Sequence, residues 1–97
     1  MSYDLYIGDE WFNYTSNVAP MWNACYEKGI EEILGLTGGE SFPVLRELRE
    51  FMEDNKDELK EMEPANGWGT YEGALEFVSD LILGAIQNPN KVWDGGN

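Results

Sequence analysis

The chain has 97 residues, with 19 Asp and Glu against 6 Lys and Arg, a formal charge of -13 and no histidine. So acidic a chain repels phosphate backbones and anionic headgroups, which argues against nucleic-acid or membrane-surface binding through a basic patch. Without histidine there is no imidazole base, no imidazole metal ligand and no Ser/His or Cys/His nucleophile pair, and a lone Cys25 allows neither an internal disulfide nor a thiolate zinc site.

High net charge commonly marks disorder. Here 42% of residues are hydrophobic and 13% aromatic, enough for one core in one domain of this length. No apolar run approaches a membrane span, and residues 1–6 lack the charged and apolar regions of a signal peptide, so cytosolic residence is the expectation. Under that expectation the sequon Asn13-Tyr14-Thr15 is a chance match. Composition as a whole favours binding over catalysis, with no cofactor and no metal.

Residues 3–15, YDLYIGDEWFNYT, predict a hairpin, because aromatic and branched residues flank a Gly8-Asp9 pair suited to a two-residue II′ turn. Pairing Ile7 with Glu10 sets Leu5 opposite Phe12 and Tyr3 opposite Tyr14, which puts these five apolar side chains on a core face and Asp4, Tyr6, Trp11 and Asn13 on the other. Ser16 or Asn17 is placed to cap a helix over about 18–28, with Pro20 in its first turn, followed by a second short piece at 30–35. After a Thr37-Gly38-Gly39 loop, Ser41 is expected to cap a long helix over about 42–61 that Pro64 and Asn66-Gly67 terminate. Thr70 caps a last helix over 71–87, stopped by Asn88-Pro89, whose apolar positions cover about 180° of the wheel at ~100° per residue and so predict a deeply buried element. Lys91-Val92-Trp93 is the candidate for a third short strand, with 94–97 frayed. The expected fold is α+β: a small antiparallel sheet covered by three or four helices.

On the 42–61 helix the charges are sorted. Glu47, Glu50, Asp54, Asp57, Glu58 and Glu61 fall within about 100° of arc, while Arg49, Lys56 and Lys60 lie beside the apolar face. Like charges at i,i+3 and i,i+4 cost ~0.2–0.5 kcal/mol per pair. A solvated acidic face and a docking stripe for a basic surface both fit. Glu53 with Lys56 and Asp57 with Lys60 are loose candidate pairs. One helix alone falls about threefold short of the one charge per ~1.7 Å of duplex DNA. Nucleic-acid mimicry therefore needs several stripes on one face, Glu72, Glu76 and Asp80 of the last helix among them.

Two helix entrances carry amides, hydroxyls and aromatics, at 13–22 and at 66–72. If they converge, Asn13, Thr15, Asn17, Trp22, Asn66 and Trp68 surround a pocket for a small, nucleotide-like ligand. Otherwise these residues serve capping and turn chemistry. Catalytic templates are weak: nineteen carboxylates make chance acid pairs inevitable. Lys56 breaks the calcium-loop spacing of 54–63, Gly38-Gly39 lacks the Lys-Ser/Thr of a phosphate loop, and Cys25 reads as a buried small residue.

The stretches N-Y-T-S-N-V-A-P-M-W at 13–22, P-A-N-G-W-G-T-Y-E-G-A-L-E-F at 64–77 and N-P at 88–89 resemble a group of small uncharacterised bacteriophage and prophage proteins over most of the chain. The resemblance implies a phage setting and carries over no functional residue. By size and charge, the chain looks like the anti-CRISPR and anti-restriction inhibitors of host defence. The leading expectation is a non-enzymatic inhibitor whose acidic stripe docks on a basic, nucleic-acid-binding surface of a host protein, without direct contact to nucleic acid or membrane. A small-ligand binder or sponge is the alternative, and a virion or assembly component the third.

Overall fold

In the computed structural model, which describes residues 1–97, Gly8 takes a φ of +58° and no non-glycine residue has a positive φ. That combination is the II′ turn, and it closes β1 (Ser2–Ile7) onto β2 (Glu10–Thr15). The register is the expected one, Tyr3 opposite Tyr14, Leu5 opposite Phe12 and Ile7 opposite Glu10. Tyr3, Leu5 and Ile7 are buried, with Phe12 and Tyr14 packed against them. On the outer face Trp11 Nε1 and Asn13 Nδ2 both donate to Asp4 Oδ1, at 3.0 and 2.9 Å.

The third strand lies further along the chain than expected. β3 is Asp94–Gly96, antiparallel to β1, giving the order β2-β1-β3. The tail read as frayed is therefore part of the sheet. Residues 91–93 pair elsewhere: Val92 bridges Thr37, and Trp93 N–H donates to Leu36 O at 2.9 Å.

Helix ends differ most from expectation. Thr15, not Ser16 or Asn17, caps a 3-10 turn at Ser16–Val18, and α1 is only Ala19–Asn23 in place of 18–28. Residues 24–28 form turns, and the 30–35 piece is a 3-10 turn at Gly29–Ile33 that buries Ile30 and Ile33. The long helix starts early: α2 is Gly38–Asp54, capped by Thr37 in a reciprocal box with Glu40 (Glu40 N–H to Thr37 Oγ1 3.1 Å, Thr37 N–H to Glu40 Oε1 2.9 Å). Ser41, the expected cap, is a buried residue of the first turns. The same helix also ends early, because Asn55 leaves helical geometry (φ -118°, ψ 30°) and donates from Nδ2 to Phe51 O at 2.9 Å. A separate short α3 follows at Lys56–Lys60.

α4 matches its expectation at both ends, Tyr71–Gln87, with Thr70 Oγ1 accepting from Gly73 N–H at 2.9 Å. It runs antiparallel to α2. At one end Tyr71 O–H donates to Met52 O at 2.8 Å; at the other, Gly38 lies so close to the carbonyls of Ala85 and Asn88 that a Cβ would collide with them. Leu45, Leu48 and Met52 meet Ala74, Phe77, Val78, Leu81 and Ala85 in one core. The architecture is α+β, a three-stranded antiparallel sheet packed with four helices, and no helix is long and apolar enough to cross a membrane.

One polar relay crosses that core. Trp93 Nε1 donates to the buried Ser41 Oγ at 2.8 Å, and Ser41 Oγ donates to Gly38 O at 2.9 Å. Ser41→Ala strands a buried indole N–H and should cost about 1–3 kcal/mol. Urea unfolding followed by tryptophan fluorescence measures that loss.

Candidate functional site

Glu47, Glu50, Asp54, Asp57, Glu58 and Glu61 are all exposed, but the break at Asn55 divides them. The first three stand on α2, Asp57 and Glu58 on α3, and Glu61 in the turn that follows. The upper part of the stripe is partly neutralised. Arg46 pairs with Glu50 at 3.9 Å and Arg49 with Glu53 at 3.8 Å, the ordinary i,i+4 geometry of a helix surface. Glu47 lies by Cys25 and Tyr26: burial first, and then this carboxylate, pushes the thiol and the phenol up. Cys25 itself is half-buried, less enclosed than the sequence suggested.

The expected pairs Glu53–Lys56 and Asp57–Lys60 do not form. α3 instead presents Lys60 to Glu72 of α4, Nζ to Oε2 2.9 Å. Asp54, Asp57, Glu58 and Glu61 are left without a cation partner. Three of them gather with Glu53 where α2 meets α3: a hollow of about 270 Å³ is lined by Glu53, Asp54, Asn55, Lys56, Asp57 and Glu58. An adjoining hollow of about 310 Å³ shares Glu53 and Lys56 and adds Tyr71, Glu72 and Leu75. The two hollows adjoin through Glu53 and Lys56, and Glu76 and Asp80 are exposed further along α4.

The second candidate region has no charged side chain. Both motif-bearing helix entrances meet in an open groove of about 710 Å³ lined by Met1, Ser2, Asn13, Tyr14, Thr15, Asn17, Trp68 and Gly69. Four of the six sequence candidates are there. Trp22 is not: it is fully buried between the rings of Tyr3 and Phe77, at 5.5 and 5.6 Å. Asn66 is not either, because its Oδ1 accepts from Trp68 N–H at 2.9 Å and closes its own turn. Sequence reasoning missed Tyr14, which was assigned to the core. Its ring does stack on Phe77, but its hydroxyl reaches the groove rim and accepts from Thr70 N–H at 3.2 Å. Gly69 makes the convergence possible. With φ +102°, and Thr15 and Val18 methyls 2.7 Å from where a Cβ would sit, only glycine brings the loop down onto the end of β2. No cationic side chain lines the groove, which disfavours the nucleotide-like ligand that the motifs suggested.

The Lys60–Glu72 hydrogen bond holds the Glu72 carboxyl below, and the Lys60 ammonium above, its ordinary range. A depressed carboxyl favours the fold above its unfolded pKa and loses that contribution as pH falls through its folded one; a raised ammonium contributes below its unfolded pKa and loses that as pH rises through its folded one. The bridge is therefore complete across neutral pH. Lys60→Met should move the Glu72 midpoint upward, since the largest cause of its depression is lost while its backbone hydrogen bond stays, read by NMR titration of its side-chain carboxyl carbon. Compared with models of protein families, with curated proteins and with solved structures, the chain matches none.

Proposed function

We propose that the protein is a non-enzymatic inhibitor that docks on the basic, nucleic-acid-binding surface of another protein, in the manner of a phage antagonist of host defence. The contact surface is the junction of α2, α3 and α4, with Asp54, Asp57, Glu58 and Glu61 at its centre and Glu53 and Glu72 at its side. One observation carries the reading: these central carboxylates are exposed and form no ion pair, although Arg46, Arg49 and Lys60 are close along the chain and Lys56 lines the same hollow, so four acids there face a single unpaired cation. Repulsion of that kind is a standing cost that an incoming set of Lys and Arg side chains relieves.

Magnitude limits the form of the mimicry. Residues 46–80 carry eleven carboxylates against four cations. With α2 and α3 together about 34 Å long at ~1.5 Å per residue, that is about one net charge per 5 Å, a third of the duplex density. Such a surface competes for a few phosphate-binding side chains and does not imitate a whole duplex.

The test is affinity capture followed by competition. The captured partner should be a nucleic-acid-binding protein that duplex nucleic acid displaces from this chain, and its association should slow with added salt. Replacing Asp54, Asp57 and Glu58 together by Asn, Asn and Gln should weaken binding about tenfold or more, mainly through the on-rate. Replacing Asp9, Glu27 and Glu32 in the same way removes equal charge elsewhere and should leave binding nearly unchanged. Equal effects from both triple variants would show that total charge, not this surface, does the work, and would overturn the proposal.

A further inference from the structure

We propose that the groove between the end of β2 and the 66–70 loop binds a neutral saccharide, with the Trp68 indole as stacking platform and Ser2, Asn13, Thr15 and Asn17 as its hydrogen-bonding groups. This second site is separate from the acidic surface and does not depend on its role.

Trp68 is 69% exposed, and its indole N–H makes no hydrogen bond within the protein, whereas the other exposed tryptophan, Trp11, is tied to Asp4. The loop holds the Trp68 backbone in place. Asn66 accepts its N–H, Gly67 and Gly69 on either side take φ of +77° and +102°, and Thr70 is bonded to Tyr14 Oη. A large apolar ring is thus displayed on a fixed backbone at the rim of the groove, and exposing so much apolar area is unfavourable at ~25 cal/mol per Å².

Opposite it, polar groups are pre-oriented with unused capacity. Asn13 Nδ2 spends its two protons on Tyr3 O and Asp4 Oδ1, at 3.2 and 2.9 Å, which fixes the amide and leaves Oδ1 free to accept. Thr15 Oγ1 accepts from Asn17 N–H at 3.3 Å and keeps its own proton to donate. Tyr14 Oη, occupied as an acceptor by Thr70, keeps its proton as well. The Asn17 amide is exposed and offers both functions.

The chemistry of the lining selects the class of ligand. The eight lining residues have no charged side chain, and the Met1 α-ammonium is the one formal charge they bring, on a chain of charge -13. The field of the whole chain disfavours nucleotides and other phosphates, for which a single terminal ammonium is a weak counterweight, and single-stranded nucleic acid needs the positive groove that accompanies stacking platforms. A purely apolar ligand does not match a lining in which only Met1, Tyr14 and Trp68 are hydrophobic. A nucleoside base stacks best between two rings, and Tyr14 already has one face stacked on Phe77, centroids 5.7 Å apart at 25°. One free aromatic platform facing amides and hydroxyls that both donate and accept suits a pyranose, which has a C–H face and a rim of hydroxyls. The volume of about 710 Å³ lies within the ~300–1,000 Å³ of ordinary ligand sites.

The experiment is an NMR titration of the full chain, labelled with nitrogen-15, with trimers of glucose, mannose and N-acetylglucosamine, and with adenosine and uridine as a separate arm. A saturable shift of the Trp68 indole N–H and of the Asn13 and Asn17 side-chain amides with at least one trimer is expected. Trp68→Ala should weaken that binding at least tenfold, and Asn17→Ala several-fold. Both side chains are exposed, so the dispersion of the other amide signals should be unchanged and should confirm the fold. No shift with any trimer at millimolar concentration, binding that survives Trp68→Ala, or binding of the nucleosides alone would each overturn the assignment.

Discussion

The backbone crossing of Gly38 over the carbonyls of Ala85 and Asn88 is the constraint on which the rest of the molecule depends. It fixes where α2 begins against where α4 ends, and two antiparallel 17-residue helices then have one register. Everything at the other end follows. Tyr71 reaches Met52 O, Lys60 reaches Glu72, and Glu53 and Lys56 arrive beside the first turn of α4. The same register delivers Thr70 to Tyr14 Oη and so closes the groove on the opposite side. A side chain at position 38 would force the helices apart where backbone meets backbone, with no flexible group to yield.

What was legible in the sequence was local. The Gly8-Asp9 turn carries its own φ requirement, and Thr70 at one end and Asn88-Pro89 at the other bracket α4; these elements and their registers came out as read. The ends of α2 did not. Thr37 and Glu40 are a complete capping box, but Gly38-Gly39 between them has poor helix propensity and reads as loop. Only the packing against α4 explains a glycine there. Asn55 breaks the helix without Pro or Gly, by giving its side-chain donor to a backbone carbonyl, a competition that a helical wheel does not represent. β3 contains two glycines and almost no strand propensity, and exists because β1 offers it a free edge.

The same division applies to the sites. Exposed carboxylates are easy to place from a wheel, but their pairing is harder: Lys60 left its own helix for Glu72 of α4, and Arg46, at the edge of the acidic arc, took Glu50 one turn on. Trp22 and Trp68 looked equivalent as aromatic residues at helix entrances. The first fills the core between Tyr3 and Phe77, and the second stands in solvent between two glycines. Size and hydrophobicity did not separate them; the φ demands of Gly67 and Gly69 were the available signal.

Residues 70–72 tie the two surfaces together. Thr70 N–H is bonded to Tyr14 Oη at the groove, Tyr71 N–H to Glu63 Oε2 at 2.7 Å, and the Glu72 carboxylate to Lys60 beside the acidic junction. A substitution within this turn would therefore disturb both surfaces at once and separate nothing. Trp68 and Asn17 on one side, and Asp54, Asp57 and Glu58 on the other, project from it into solvent and have no partner in common. Substitutions at such sites add nearly independently. Loss of one binding activity with retention of the other is then a property of the surface changed, because the fold between them is held by the turn that neither set of variants touches.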